Sequence, residues 1–194
     1  MIFTIICFVI AAAVVVIDQI TKVIAVDKLL GNGSYEFIPG ILHFTYVEND
    51  GMALGLLDNA RWVFMVVSSV AIIGMIVYMI LKRPESKFAS VAMALIIGGG
   101  IGNMIDRFFY NGVLPGTVGE KVVRDFIDVR MFGDLWPWVF NFADSCVCVG
   151  GAILFVWALA SIIKESVDDK KNKPKLTVEI PTASEQESEN GEKE

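Results

Sequence analysis

Two acidic residues, Asp125 and Asp144, lie in surroundings that favour acid–base chemistry. Asp144 interrupts a long apolar stretch and has no basic residue within a helical turn, so its carboxylate needs a proton or a distant partner. Asp125 is the one acid in the apolar segment 122–127. Two carboxylates that share a site cannot both ionise cheaply, so the pair retains a proton. Such a pair can activate water as a base and protonate a leaving amine, which is peptide hydrolysis of the aspartic type.

The partner of Asp144 is not decided by spacing alone, because Asp128 lies three residues beyond Asp125 and is a rival. Other chemistries are less well supported. The single histidine, His43, falls in a predicted strand and offers no base to a serine or cysteine nucleophile. It also excludes a zinc site of the H-E-x-x-H kind. We therefore expect no metal and no cofactor.

Four apolar stretches must position these acids. The chain has 194 residues, 55% of them hydrophobic, and a mean hydropathy of +0.60. A bilayer core of about 30 Å is crossed by a helix of about 20 apolar residues. The first stretch lacks a basic N-terminal region, so we interpret it as a retained helix and not as a cleaved signal peptide. The sequence predicts an all-α membrane protein with four transmembrane helices, at about residues 2–22, 62–81, 88–105 and 138–163.

The distribution of basic residues predicts the orientation of these helices. Lys82, Arg83 and Lys87 lie between the second and third stretches, and several lysines follow the fourth. Basic loops face the cytoplasm, so both termini are expected there. The larger connections, about 23–61 and 107–136, then face outward. Because residues 35–47 are rich in aromatic and β-branched residues, we expect a small extracytoplasmic β-rich platform.

Two domains are expected along the chain. Residues 1–163 form the membrane domain. Residues 164–194 are rich in charged and small polar residues and predict a disordered cytoplasmic tail.

Polar residues from four regions are expected to meet at one level, just inside the outer surface. Ionisable groups within a membrane are costly and usually functional. Asp18 and Lys22 share a helix face at i, i+4 spacing, and a structural ion pair is the favoured interpretation for them and for Asp106 with Arg107. The remaining residues of this set are Asn49, Asn103, Asp125, Asn141 and Asp144.

Two alternative functions remain open from the residues alone. One is a small proton-coupled transporter subunit that uses Asp18, Asp106 and Asp144 as a relay. A relay requires acids at several depths, whereas the inner halves of the second, third and fourth stretches carry none. The other is a membrane scaffold in which the polar residues only hold the helices together.

Five motifs in order resemble the lipoprotein signal peptidases, or signal peptidase II, which are aspartic intramembrane proteases. The resemblance spans about residues 10–155. The family patterns are D-Q-x-x-K, N-x-G-x-A-F-G, G-N-x-x-D-R, V-x-D-F and F-N-x-A-D-S. They correspond here to residues 18–22, 49–55, 102–107, 123–126 and 140–145.

The resemblance implies removal of the signal peptide from bacterial prolipoproteins, just before a cysteine that carries a diacylglyceryl group. It implies Asp125 and Asp144 as the catalytic residues. It also implies a multi-pass protein of the bacterial cell membrane, with the active site near the extracytoplasmic face. The expected partners are lipid-modified prolipoproteins and membrane lipids, not nucleic acid, and a monomer is expected to be functional. Supporting roles fall to Asp18, Lys22, Asn49, Gly55, Asn103, Asp106, Arg107 and Asn141.

Three departures from the family pattern bear on the site. Leu54 replaces the usual phenylalanine, which changes packing but removes no chemistry. The stretch 108–124 is long and is interpreted as a flexible flap beside the site. Arg124 precedes Asp125, and we expect it to point outward because neighbours in an extended segment face opposite ways.

Overall fold

Helices and an antiparallel sheet alternate along the chain in this computed structural model, which describes residues 2–51, 61–82, 84 and 86–172. Helices dominate the described part. A 3-10 turn, Gly133–Leu135, lies between the last two strands. In chain order the elements are α1 (Ile2–Leu29), β1 (Ser34–Ile38), β2 (Leu42–Asn49), α2 (Arg61–Leu81), α3 (Lys87–Phe109), β3 (Val123–Val129), β4 (Val139–Phe140) and α4 (Phe142–Asn172).

The helices have the length and composition of membrane spans. Within the described ranges, three segments qualify as spans: Ile2–Leu29, Lys87–Phe109 and Phe142–Asp168. The apolar run Met65–Leu81 of α2 is shorter. The prediction of a mostly helical membrane protein with a small sheet is therefore confirmed. The number of crossings and the side on which each terminus lies stay predictions.

The first helix is longer than predicted, because it ends at Leu29 and not near Lys22. The residues after Lys22 contain no glycine or proline, so nothing interrupts the helix before Gly31. Gly31 and Gly33 both have positive φ, which glycine adopts without steric cost. At 1.5 Å per residue α1 measures about 42 Å, more than the hydrocarbon thickness of a bilayer.

The fourth helix differs from the prediction of 138–163 at both ends, because α4 runs from Phe142 to Asn172. Val139 and Phe140 pair with β3, so α4 begins at Phe142 and not at Trp138. Asn141 and Asp144 fix this start. The backbone N–H of Asp144 donates to Asn141 Oδ1 at 2.9 Å, and the backbone N–H of Asn141 donates to Asp144 Oδ2 at 3.1 Å. Such reciprocal bonds are those of a capping box.

The chain divides into two compact units, which are residues 1–158 and 159–194. The first unit contains the sheet and the polar residues of the candidate site. In the second unit, residues 159–172 are helical. The predicted disordered tail is therefore wrong for residues 164–172, and residues 173–194 lie outside the described part.

The sheet has the order β1-β2-β3-β4, and all neighbouring strands are antiparallel. The strands predicted within residues 35–47 are confirmed as β1 and β2. The register shifts between Phe44 and Val47 of β2. After this irregularity Val47 lies opposite Asp125, which brings the end of β2 next to that carboxylate.

Glycines let α3 approach its neighbours closely. A Cβ atom on Gly98 would lie 2.6 Å from the carbonyl oxygen of Ala11 in α1. A Cβ atom on Gly102 would lie 2.5 Å from Asp18 Oδ2. Small residues at such contacts are typical of membrane helix pairs. The close approach places the polar C-terminal half of α3 directly against that of α1.

Candidate active site

The structure brings Asp125 and Asp144 to one site through Asn141. Asp125 lies on β3 and is 1% exposed, whereas Asp144 lies in the first turn of α4. The Asn141 side chain donates from Nδ2 to Asp125 Oδ1 at 2.6 Å. Its backbone N–H donates to Asp144 Oδ2. One residue therefore holds both carboxylates, which we call the carboxylate pair.

Two further amides complete the hydrogen bonds of the carboxylate pair. Asn49, at the end of β2, donates from Nδ2 to Asp125 Oδ2 at 2.9 Å. Asn103, on α3, donates from Nδ2 to Asp144 Oδ1 at 2.7 Å. The orientation of Asn49 is fixed because its Oδ1 accepts from the backbone N–H of Gly51 at 2.9 Å. All four carboxylate oxygens thus have a donor aimed at them.

Burial, and secondly the negative charge of Asp144, raise the pKa of Asp125 to about 7. The hydrogen bonds from Asn49 and Asn141 oppose this shift, because they stabilise the ionised form. A carboxyl group that titrates near neutral pH can exchange a proton with substrate at little cost. Such shifted groups are typical of active sites.

Loss of the Asn49 donor is expected to move the pH profile of the site. In Asn49→Ala the pKa of Asp125 rises, since a bond to its ionised form is lost. The alkaline limb of activity, at which the pair loses its proton, therefore moves to higher pH. The measurement is kcat against pH, with Asn32→Ala as control, because Asn32 caps α1 through the carbonyl oxygen of Lys28. An unmoved or lowered alkaline limb would contradict the assigned bond.

The predicted ion pair between Asp18 and Lys22 is present, 2.9 Å apart and fully buried. Lys22 Nζ also lies 3.5 Å from Asp106 Oδ2 and donates to Asn103 Oδ1 at 2.9 Å. Lys22 therefore links the helix ion pair to the amide that holds Asp144.

The expected pairing of Asp106 with Arg107 stays a prediction, and the contacts described for Asp106 are with other residues. Consecutive helical residues point about 100° apart. Asp106 instead faces the interior and contacts Gln19, Lys22 and Arg124. Arg107 lies, together with Asp144, on the wall of the cavity described below.

Arg124 points inward, which corrects the expectation that it faces solvent. It is 6% exposed and binds Asp106 through Nη2 at 2.7 Å and Nε at 3.1 Å. Its guanidinium also lies 4.4 Å from the ring centre of Tyr110. Neighbouring side chains of the strand still alternate between its two faces, but the expectation assumed that one face is open to solvent. The four residues Val123–Phe126 of β3 are all buried, so both faces of the strand are covered here.

A cavity of about 240 Å³ adjoins Asp144. Its polar wall consists of Asn103, Arg107, Asp144 and Ser68, and the rest is apolar and comes from α2, α3 and α4. This lining suits a substrate segment that is mainly apolar and has a polar group near Asp144. Gly55 was also predicted to belong to the site, but it lies outside the described residues.

Asp128, the rival to Asp125, is occupied elsewhere. Its Oδ2 accepts from Thr45 Oγ1 and from Arg130 Nε, both at 2.8 Å. Burial raises its pKa, but the bonds from Arg130 and Thr45 outweigh burial and hold the pKa below its ordinary value. The contacts of Asp128 are those of an ion pair on the sheet, apart from the carboxylate pair.

The long connection 108–124 is tied to the sheet by Glu48, a residue that the sequence did not single out. Its carboxylate accepts from the backbone N–H groups of Val113 and Leu114, from Thr117 Oγ1 and from Tyr46 Oη. Burial raises the pKa of Glu48, but the bond from Thr117 and the two backbone bonds hold it below its ordinary value. These bonds attach residues 113–117 of the loop to the sheet, and the interpretation of the stretch 108–124 as a flexible flap stays a prediction.

The described part of the chain holds no group of three or more His, Cys, Asp or Glu side chains arranged for a metal. The expectation of a metal-free site was made from the sequence and stays a prediction. The chemistry at hand is that of carboxylates, amides and charged side chains.

These features define a class: a helical membrane protein in which a sheet and a helix start bring together one buried and one half-buried carboxylate. The chain belongs to the signal peptidase (SPase) II family, whose sequence profile matches residues 10–160. It is 42% identical over 146 residues to a lipoprotein signal peptidase of Caldanaerobacter subterraneus, covering 75% of this chain and 90% of that one. A lipoprotein signal peptidase of Halalkalibacterium halodurans is 34% identical over 166 residues, or 86% and 97% of the two chains.

Solved structures agree with this assignment. A bacterial membrane enzyme determined by the in meso method at 1.9 Å resolution superposes with a TM-score of 0.67 at 31% identity. The match covers 79% of this chain and 92% of that one. The family assignment favours a peptidase, and the transporter alternative is not supported.

Proposed function

We propose that the chain is an aspartic endopeptidase that removes the signal peptide from prolipoproteins, with Asp125 and Asp144 as its catalytic residues. Membership of the signal peptidase II family and the names of the relatives support the reaction. The observation that carries the proposed mechanism is the contact of Asn141 with both carboxylates. It holds the two acids in one site, where burial and the charge of Asp144 raise the pKa of Asp125.

The proposed reaction starts with one proton on the carboxylate pair. The ionised carboxylate takes a proton from water while the water oxygen bonds to the scissile carbonyl carbon. The protonated carboxyl group stabilises the new oxyanion by donating its proton. Collapse of the tetrahedral intermediate breaks the C–N bond as its hydroxyl group returns the donated proton to the carboxylate that supplied it, and the amine leaves with the proton that the other carboxyl group took from water. The pair is thereby restored to its starting state.

Surrounding residues are proposed to hold the pair and the substrate. Asn49, Asn103 and Asn141 fix the carboxylates through the bonds described above. Arg107 shares a cavity wall with Asp144, and its guanidinium offers a fork of donors for a substrate carbonyl. Lys22 holds the amide of Asn103, and Asp18 and Asp106 pair with Lys22. Gly55 is assigned by resemblance only.

The substrate and the location follow from the same proposal. The apolar walls of the cavity beside Asp144 come from α2, α3 and α4. Of these, α3 and most of α4 are candidate membrane spans. A lipid anchor on the substrate cysteine would hold the scissile bond at membrane level, near the extracytoplasmic face of the bacterial cell membrane. We further propose that a monomer suffices, because one chain provides both carboxylates.

A cleavage assay with purified protein in detergent tests this function. A peptide that carries a diacylglyceryl-modified cysteine is expected to be cut directly before that cysteine, and the same peptide without lipid is expected to be a far poorer substrate. The lipoprotein signal peptidase of Caldanaerobacter subterraneus is the positive control. If that enzyme cuts the lipidated peptide and this chain does not, the proposed function is wrong.

A further inference from the structure

We infer that Arg124 is a positioning residue of the carboxylate pair, which acts by holding Asp106 so that Lys22 stays on Asn103. The inference rests on the proposed function, because it concerns the same reaction. It assigns a role to a position that the family pattern V-x-D-F leaves unspecified. The residues Asp18, Lys22, Asp106 and Arg124 are called the charge cluster below.

The first step concerns the balance of charge. The charge cluster contains two acids and two bases, and its side chains are between 0% and 7% exposed. Arg124 supplies three of the hydrogen bonds to Asp106, two from its guanidinium and one from its backbone N–H at 3.0 Å. Because a buried carboxylate requires a partner, Asp106 would otherwise compete with Asp18 for Lys22.

The second step concerns the orientation of Asn103. An ammonium group can only donate, so Lys22 Nζ binds the oxygen of the Asn103 amide. Asn141 Nδ2 donates to the same oxygen at 3.0 Å. The Asn103 nitrogen is thereby turned toward Asp144, to which it donates. If Lys22 moved to Asp106, this amide would lose one of the two bonds that fix its orientation.

The third step concerns Asp125 itself. The backbone N–H of Arg124 donates to Asp106 Oδ2, so β3 is attached to α3 directly before Asp125. The guanidinium also donates from Nη2 to Gln19 Oε1 at 3.0 Å, which adds α1 to the same junction. Arg124 therefore influences both members of the pair, Asp125 through the strand and Asp144 through Lys22 and Asn103.

The electrostatic setting gives the sign of a pH effect. The described part of α2 carries no charged residue between Trp62 and Leu81. Without the positive charge of Arg124, the ionised form of the carboxylate pair is less stable. Both limbs of the pH profile are therefore expected to move to higher pH. Among the charged groups on the elements around the pair are Asp18 and Lys22 of α1, Glu48 of β2, Asp106 and Arg107 of α3, and Arg124 and Asp128 of β3.

The test compares Arg124→Gln, Arg124→Lys, Asp106→Asn and the double variant Arg124→Gln/Asp106→Asn in the lipopeptide assay. Arg124→Gln is expected to lower kcat by about 10- to 100-fold with KM little changed, because the reacting groups are displaced. Arg124→Lys keeps the charge and leaves the pH limbs in place, but it loses the two parallel bonds to Asp106 and lowers kcat. Arg130→Gln, which breaks an ion pair on the sheet surface, is the matched control and should leave kcat unchanged.

The double variant separates positioning from a general structural role. When Asp106 is already neutral, the further change Arg124→Gln is expected to have little effect on kcat, and the pH limbs return toward those of the wild type. Equal losses of kcat from Arg124→Gln in both backgrounds would overturn the inference. So would wild-type kcat in Arg124→Lys, which remains informative if Arg124→Gln does not fold. If Asp125→Asn and Asp144→Asn retain activity, the proposed function fails instead, and the two failures are thus distinguishable.

Discussion

Asparagine at either position 125 or 144 is expected to lower cleavage of a diacylglyceryl-modified peptide by about 10³- to 10⁴-fold. An amide has nearly the shape of the carboxyl group but can neither accept the proton of water nor return it to the leaving amine. The hydrogen bonds from Asn49, Asn103 and Asn141 are retained in part, so the site is expected to stay assembled. The measurement is the rate of peptide cleavage, followed by gel shift, for each purified variant.

The control for this prediction is Asp128→Asn, because Asp128 is three residues from Asp125 and also lies on β3. Its carboxylate is bonded to Thr45 and Arg130, away from the pair. We expect near wild-type cleavage from this variant. If Asp128→Asn and Asp144→Asn are inactive while Asp125→Asn is active, the enzyme class stands and the partner of Asp144 has been misassigned. Substrate binding is measured for each variant, because retained binding shows that a loss of cleavage does not result from unfolding.

The membrane helices and the convergence of polar residues could be predicted because they depend on local patterns. Long apolar runs report helices that face lipid, and the i, i+4 spacing of Asp18 and Lys22 reports a shared face. The start of α4 was predicted less well. The helix was expected to begin at about residue 138, but pairing of Val139 and Phe140 with β3 takes precedence, and α4 begins at Phe142. Strand pairing is a long-range interaction that no local signal reports.

The contacts of single charged residues were the least predictable part of the site. Arg124 was expected outside because strand alternation says which side chains share a face but not whether a face is covered. Here α1 and α3 cover the side that Arg124 occupies. Glu48 gave no signal either, because two of its four donors are backbone N–H groups of a distant loop. Backbone donors are the same for every sequence, so only the folded chain identifies them.

Loss of the buried ammonium in Lys22→Met is expected to lower the free energy of unfolding by about 3–5 kcal/mol, as for other buried pairs that lose one partner. Lys22 is fully buried and is bonded to Asp18, Asp106 and Asn103. Methionine fills a similar volume but leaves Asp18 without its cation. Thermal unfolding in detergent measures the loss, and Lys28→Met, which breaks the solvent-exposed pair with Asp27, is the matched control.

The same substitution also probes the chemistry of the site, because the charge of Lys22 lowers the pKa of Asp125. In Lys22→Met that pKa is expected to rise beyond its value of about 7, so the alkaline limb of activity moves to higher pH. A second change, Asp18→Asn, removes the unpaired acid and should restore part of the lost stability. If Lys22→Met unfolded at the wild-type temperature with an unchanged pH profile, two assignments would be wrong. Lys22 would not stabilise the fold as the partner of Asp18, and its charge would not lower the pKa of Asp125. Stability and acidity are linked here through one ammonium group, and the two measurements should therefore change together.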